Sequence, residues 1–255
     1  MNIKDTVAVI TGGASGLGEA CVRNLVGLGG KVSILDFAEE RGNQVAEELG
    51  DSVIFCNTDV TDEKSVQAAV DKTMDAFGAI HIAVNCAGVG TPAKVLGKDG
   101  PMSIDLFNRV VQINLIGTFN VIRLSADKMV KNEPTEDGER GVVINTASVA
   151  AFEGQIGQPA YSASKAGVVG MTLPIAREFA EYGIRVLTIA PGIFETPMLA
   201  GLPDNVKESL GKMVPFPPRL GRPSEFAGTV QHIIENTILN AEVIRLDGGI
   251  RMAAK

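Results

Sequence analysis

Short runs of aliphatic and β-branched residues alternate along this chain with longer stretches whose apolar positions recur at helical spacing. The runs fall at 6–11, 31–36, 53–58, 80–86, 141–148, 185–191 and 242–247. Each is nearly continuous in hydrophobicity, the mark of strands covered on both faces in a parallel sheet. Between them, amphipathic periodicity predicts helices at 17–28, 39–49, 62–76, 103–130, 159–181 and 223–236. This alternation predicts a single α/β domain over 1–255, a doubly wound parallel sheet of seven strands with helices on both faces. Right-handed crossovers then bring every strand-to-helix turn to one edge of the sheet, where ligands bind.

Three segments break the rhythm. Residues 91–101 form a Gly/Pro/Lys loop after the fourth strand, and 132–141 (NEPTEDGERG) read as a polar surface excursion. Residues 193–223 hold six prolines and follow the sixth strand at the presumed ligand edge, which suggests a substrate lid over about 193–222. Pro174 falls inside the helix predicted at 159–181 and should bend it.

Composition narrows the possible functions. The formal charge is −7, so no basic face is evident for nucleic acid, and no apolar stretch has the length needed to cross a bilayer. Three cysteines, Cys21, Cys56 and Cys86, lack metal-ligand spacing and sit in apolar runs, like the reduced thiols of a cytoplasmic protein. Residues 1–5 lead straight into the first strand, leaving no room for a targeting segment and again predicting a cytoplasmic location. With only His81 and His232 available, neither a zinc hydrolase nor a Ser-His-Asp enzyme has enough parts, and no metal is expected.

The first strand ends in Thr11-Gly12-Gly13-Ala14-Ser15-Gly16-Leu17-Gly18 and passes directly into a helix. Gly12, Gly16 and Gly18 let the backbone turn tightly onto a pyrophosphate at a helix N-terminus, in a Rossmann-type arrangement. The Lys-Ser/Thr ending of a nucleoside-triphosphate loop is missing. Asp36 closes the second strand, where a carboxylate can accept the ribose hydroxyls of adenosine and repel a 2′-phosphate. No basic residue follows directly, so NAD is favoured over NADP. Asp36 would equally serve as a cap for the next helix. Asp59-Val60 ends the third strand, placed to meet an adenine ring, and Cys86-Ala87-Gly88 follows the fourth. Each of these alone reads as a turn.

Tyr161 and Lys165 lie four apart on a predicted helix and share a face, with Ser148 at the end of the fifth strand. A nearby ammonium favours the phenolate and should lower a Tyr pKa that is otherwise near 10. The pair then becomes a general acid/base for an alcohol or carbonyl oxygen, and Ser148 can hydrogen-bond the same atom. A surface Tyr and Lys would show the same spacing; the glycine turn and Asp36 argue against that reading.

These residues resemble the short-chain dehydrogenase/reductase family over essentially the whole chain. The matching motifs include TGGASGLG (11–18), NCAG (85–88), YSASK (161–165) and LDGG (246–249). The resemblance implies a tetrad in which Ser148 positions the substrate oxygen and Tyr161 exchanges its proton. Lys165 would hold the cofactor ribose and lower the Tyr pKa, while Asn114 would support a relay water. It also implies NAD contacts from Gly12, Ser15, Gly16, Leu17, Gly18, Asp36, Asp59, Val60, Cys86, Ala87, Gly88, Tyr161, Lys165, Phe194 and Thr196. Gln155, with Ser148 and Tyr161, would line the substrate pocket.

Within the family, INTASVAAFEGQ (144–155), GTFNVIRL (117–124), MTLPIAREFA (171–180) and EVIRLDGGIRM (242–252) resemble one particular branch. It is the type 10 17β-hydroxysteroid dehydrogenase branch, also called the type 2 3-hydroxyacyl-CoA dehydrogenase branch. That implies an NAD-dependent homotetramer oxidising L-3-hydroxyacyl-CoA, with Lys94, Lys98, Lys207, Lys212 and Arg219 available to receive the CoA phosphates. The 91–104 loop departs most from the branch pattern and leaves substrate choice open. One alternative is a hydroxysteroid or small secondary alcohol. Another is an NAD-binding scaffold in an RNA-processing complex, against which the acidic charge and the intact tetrad argue. Phe194 and 198–202 offer an apolar cover for the pocket, or ordinary subunit packing.

Overall fold

All seven predicted strands form in the computed structural model, each within two residues of its expected ends. The described residues are all but Asp99, Leu202 and Lys255, and the side chains of Met198 and Ala200 are likewise not described. The strands are β1 (Val7–Thr11), β2 (Lys31–Asp36), β3 (Val53–Asn57), β4 (Ile82–Asn85), β7 (Gly141–Thr146), β8 (Ile184–Pro191) and β9 (Val243–Leu246). They lie parallel in the order β3-β2-β1-β4-β7-β8-β9. A two-residue-stranded hairpin, β5 (Leu96–Gly97) with β6 (Gly100–Pro101), stands apart in the loop after β4.

The chain winds outward from β1 to β3 and then returns to the other side of β1 as β4. That reversal opens a crevice above the carboxyl ends of β1 and β4. Thr11 pairs with Asn85, and Asn85 with Asn145, so the residues following β1, β4 and β7 emerge side by side. The Asn85 Nδ2 donates to Asn145 Oδ1 at 2.9 Å and ties β4 to β7 just below the opening.

Helices α1 (Gly16–Gly27), α2 (Glu39–Leu49) and α9 (Pro223–Glu235) cover one face through residues such as Val22, Leu25, Val45, Phe226 and Val230. On the other face lie α3 (Glu63–Phe77), α5 (Thr118–Met129) and α6 (Pro159–Phe179), with Val66, Val70, Val121 and Ile175 in the core. The buried core on this second face is aliphatic, while the first also holds Phe55, Phe194 and Phe226.

The long helix predicted at 103–130 is α4 (Ile104–Val111) and α5 joined by a π-helical stretch at 112–117. Gly117 sits in that stretch because a Cβ there would fall 2.6 Å from Val60 Cγ2. The proline-rich segment is more ordered than expected, with α7 (Pro197–Ala200) and α8 (Asp204–Lys212) inside it. Helix α6 runs on past Pro174, which lies on its exposed side. The polar 132–141 segment is not wholly a surface excursion: Glu139 is 5% exposed and pairs with Arg185 at 2.7 Å.

Candidate active site

The crevice is a cleft of about 1150 Å³, and every predicted site residue except Asn114 lines it. One side of it is the glycine turn. Gly12 and Gly16 have φ of +64° and +55°, conformations that favour glycine, and a Cβ on Gly18 would fall 2.2 Å from the Gly12 carbonyl oxygen. Ser15 is the N-cap of α1 and Leu17 lies in its first turn. Thr11 Oγ1 accepts from the backbone N–H groups of Cys86 and Ala87, both at 3.1 Å, binding the turn to the loop after β4.

Although Ala38 is the N-cap of α2, Asp36 makes two backbone contacts at the cleft. Its Oδ1 accepts from Ala38 N at 2.9 Å in front of α2, while Oδ2 accepts from Ala14 N at 3.0 Å and so braces the glycine turn. The carboxylate still lines the cleft. Asp59 Oδ1 accepts from Thr61 N and Thr61 Oγ1, and the buried Val60 beside it offers an apolar slot. An acid at 36, a glycine-rich turn and an apolar slot at 60 fit a dinucleotide.

Ser148, Tyr161 and Lys165 line the same cleft. Ser148 caps the short 3-10 turn at Val149–Ala151, its Oγ accepting from Ala150 N at 3.1 Å, and its hydroxyl lies against the Tyr161 phenol. Lys165 Nζ is 5.8 Å from the Tyr161 ring centroid and donates to Thr146 O at 2.7 Å. Burial lowers the Lys165 pKa to about 8.

One electrostatic expectation is corrected. Burial raises the Tyr161 pKa above its ordinary value, against the opposing pull of Ser148. Desolvation outweighs the Ser148 hydrogen bond, and no lowering by the Lys165 ammonium offsets it, so Tyr161 is a protonated phenol at neutral pH.

Asn114 is fully buried and does not line the cleft. Its Oδ1 accepts from Val89 N at 2.8 Å, and its Nδ2 donates to Val89 O at 2.9 Å and to Ser164 Oγ at 3.0 Å. Ser164 Oγ in turn donates to Tyr161 O at 2.7 Å, linking the π-helical stretch to the start of α6. The Asn114 side chain is thus taken up in positioning.

Cys86 and Cys21 pack together under the cleft. Their proximity raises the Cys21 pKa and lowers that of Cys86, whose Sγ accepts from Thr146 Oγ1 at 3.5 Å. All three cysteines are free thiols.

On the substrate side, Gln155 lines the cleft, but its Nε2 donates to Ala253 O at 3.1 Å. Phe194 is not primarily a cover. Its ring is 7% exposed and meets Phe226 edge-on at 6.5 Å, so it belongs to the core under the lid segment. Of the 198–202 stretch, Leu199 lines the cleft and Leu202 lies outside the described residues. Thr196 lines it as expected.

Three of the five cations expected to receive phosphates are paired with carboxylates: Lys207 with Asp204, Lys212 with Glu208, and Arg219 with Glu225. Arg219 and the backbone of Arg222 lower the Glu225 pKa to about 2. Lys94 lines a side cavity of about 440 Å³ behind Gln155 and Gln158. Arg109, which sequence reasoning missed, lines the main cleft and forms no ion pair among the described residues. Its position one turn before Gln112 and Ile113 on the same helix face was the available signal. Met252, also missed, is brought to the cleft by a tail with no periodic pattern to follow.

A crossover-wound parallel sheet whose cleft is lined by a glycine turn and by a Ser-Tyr-Lys group points to an oxidoreductase class, and comparison agrees. Residues 6–207 match the family model for short chain dehydrogenase, and the chain belongs to that family. Oxidoreductases of this family use a nicotinamide cofactor.

More particularly, the chain is 57% identical to the 3-hydroxyacyl-CoA dehydrogenase type-2 of Drosophila melanogaster over 98% of its own length and 99% of that protein. It is 56% identical to the protein of that name from Homo sapiens, over 98% and 97%. A crystal structure of 3-hydroxyacyl-CoA dehydrogenase type-2 from Mycobacterium avium matches with a TM-score of 0.94 at 41% identity, covering 100% of both chains. Among the described residues, no helix is long and apolar enough to cross a membrane.

Proposed function

We propose that the cleft binds NAD and interconverts L-3-hydroxyacyl-CoA with 3-oxoacyl-CoA. The observation that carries this is that Ser148, Tyr161 and Lys165 line the same cleft as the glycine turn and Asp36. When bound, NAD supplies a nicotinamide ring that takes or returns a hydride. The protein's part is to hold the oxygen and move its proton. The Ser148 hydroxyl donates to the substrate oxygen, and Tyr161 Oη gives that oxygen a proton on reduction or takes it on oxidation. Lys165, anchored by Thr146 O, holds positive charge beside the phenol. Asn114 and Ser164 fix the start of α6 and with it Tyr161.

Likeness to the named relatives, and Arg109 at the cleft with no ion-pair partner among the described residues, support an acyl-CoA over a steroid. Comparing kcat/KM for acetoacetyl-CoA with that for a ketosteroid decides between them. A higher value for the ketosteroid would overturn the substrate assignment. The same reading implies a homotetramer, for which the exposed Ile116, Phe119 and Leu173 are apolar positions to cover. The three free thiols suit a reducing compartment, the cytoplasm.

Two predictions follow from the charges. Asp36→Asn keeps an acceptor for Ala14 N but removes the charge that repels a 2′-phosphate. It is expected to cut the NADH-over-NADPH preference in kcat/KM by about tenfold. An unchanged ratio would remove Asp36 from cofactor selection. Replacing Lys94 and Lys98 together with Glu is expected to raise the KM for acetoacetyl-CoA by roughly three- to tenfold and to spare a neutral secondary alcohol. Equal effects on both substrates would sink that assignment.

A further inference from the structure

Beyond β9 the chain reverses at Gly248 and Gly249, with φ of +60° and +84°, and returns across the molecule. Asp247 stabilises the reversal. Its Oδ1 accepts from Gly249 N at 2.9 Å, and its Oδ2 accepts from Arg245 Nε at 2.8 Å. Ile250 is then buried to 1% exposure, pinning the returning chain.

Residues 250–254 next run along 152–156, the segment that connects Ser148 to Tyr161. Met252 N donates to Glu153 Oε2 at 3.0 Å, Ile156 N donates to Ala254 O at 3.0 Å, and Gln155 Nε2 donates to Ala253 O. Glu153 is the latch. Arg245 approaches both its carboxylate oxygens, at 2.9 and 3.2 Å, and Arg251 lies 3.3 Å away. Arg245 also stacks over Phe152, its guanidinium 5.3 Å from the ring centroid. The tail is therefore built onto the substrate wall by several independent bonds, and Met252 faces the cleft beside Gln155.

We propose that this tail is a strap closing the end of the substrate pocket, and that Met252 sets the length of acyl chain the cleft accepts. The inference rests on the reading that the substrate carries a linear acyl chain. Met252 suits the role because an unbranched thioether fills an irregular apolar gap and makes close contact with alkyl groups. Latching by Glu153 holds it at a fixed depth, so each methylene beyond that depth meets a wall rather than open solvent.

The test is a chain-length series of 3-oxoacyl-CoAs from four to twelve carbons, assayed with wild type, Met252→Ala and Met252→Phe. Shortening the side chain is expected to raise the ratio of long-chain to short-chain kcat/KM by about fourfold or more, the worth of one buried methylene. Met252→Phe is expected to lower the same ratio. Glu153→Gln, which weakens the latch, is expected to flatten the chain-length dependence without abolishing turnover. Thermal melts of all three variants establish that each is folded.

Ratios within twofold of wild type in folded Met252 variants would overturn the proposal. If wild type fails to reduce any acyl-CoA, the functional reading itself has failed. The strap is then tested with methyl ketones of the same chain lengths, where an unchanged ratio counts equally against it.

Discussion

Replacing Tyr161 with phenylalanine is expected to lower kcat/KM by ~10²- to 10⁴-fold in both directions, the usual worth of a positioned general acid/base. NAD affinity should stay within about twofold if the lost hydroxyl is, as proposed, the proton carrier rather than a cofactor anchor. The raised pKa of Tyr161 gives this result a pH signature. At neutral pH the phenol is already protonated, the form needed to reduce a ketone, so reduction should vary little between pH 6 and 8. Oxidation needs the phenolate, and its kcat/KM should climb by nearly tenfold per pH unit over the same range. A flat oxidation profile would mean that another group takes the proton.

Lys165→Met is expected to have the second largest effect, with an activity loss of about 10²-fold or more as the charge beside the phenol disappears. Its stability signature runs the other way. Burial lowers the Lys165 pKa from 10.5 to about 8, so holding the charged form inside costs about 3 kcal/mol. Between pH 8 and 10.5 the unfolded chain keeps a proton that the folded chain has released. Wild type therefore gains stability as the pH rises through that window, and below pH 8 it bears the whole cost. Methionine avoids the cost but leaves the Thr146 carbonyl without its donor, a loss of about 1–3 kcal/mol. Differential melts should find the variant at or up to about 5 °C above wild type at pH 7. That difference should shrink or reverse by pH 10. A difference constant across pH would show that the Lys165 pKa is not shifted between the folded and unfolded chains.

Strands and helices were legible because burial on both faces of the sheet leaves long apolar runs that few loops imitate. The glycine turn was legible for a related reason: the close approach at Gly12 and Gly18 excludes any side chain, so the requirement is written in residue type. Features that depend on three-dimensional neighbours were not. The π-helical stretch around Asn114 lies in an ordinary helical pattern, and nothing local marks the extra residue in its turn. The Lys165 anchor is a backbone carbonyl at Thr146, which any residue supplies. The sign of the Tyr161 shift depended on how deeply the phenol is buried, which spacing along a helix does not determine. Lys207, Lys212 and Arg219 looked free because their carboxylate partners were not weighed against them, although each lies within six residues in the chain.

The most direct test of the central claim is the initial rate of NADH consumption with acetoacetyl-CoA, measured beside NADPH under the same conditions. The arrangement of Asp36, Tyr161 and Lys165 predicts saturable turnover with NADH and a kcat/KM at least about tenfold above that with NADPH. No NADH-dependent reduction of acetoacetyl-CoA, or a preference for NADPH, would contradict it.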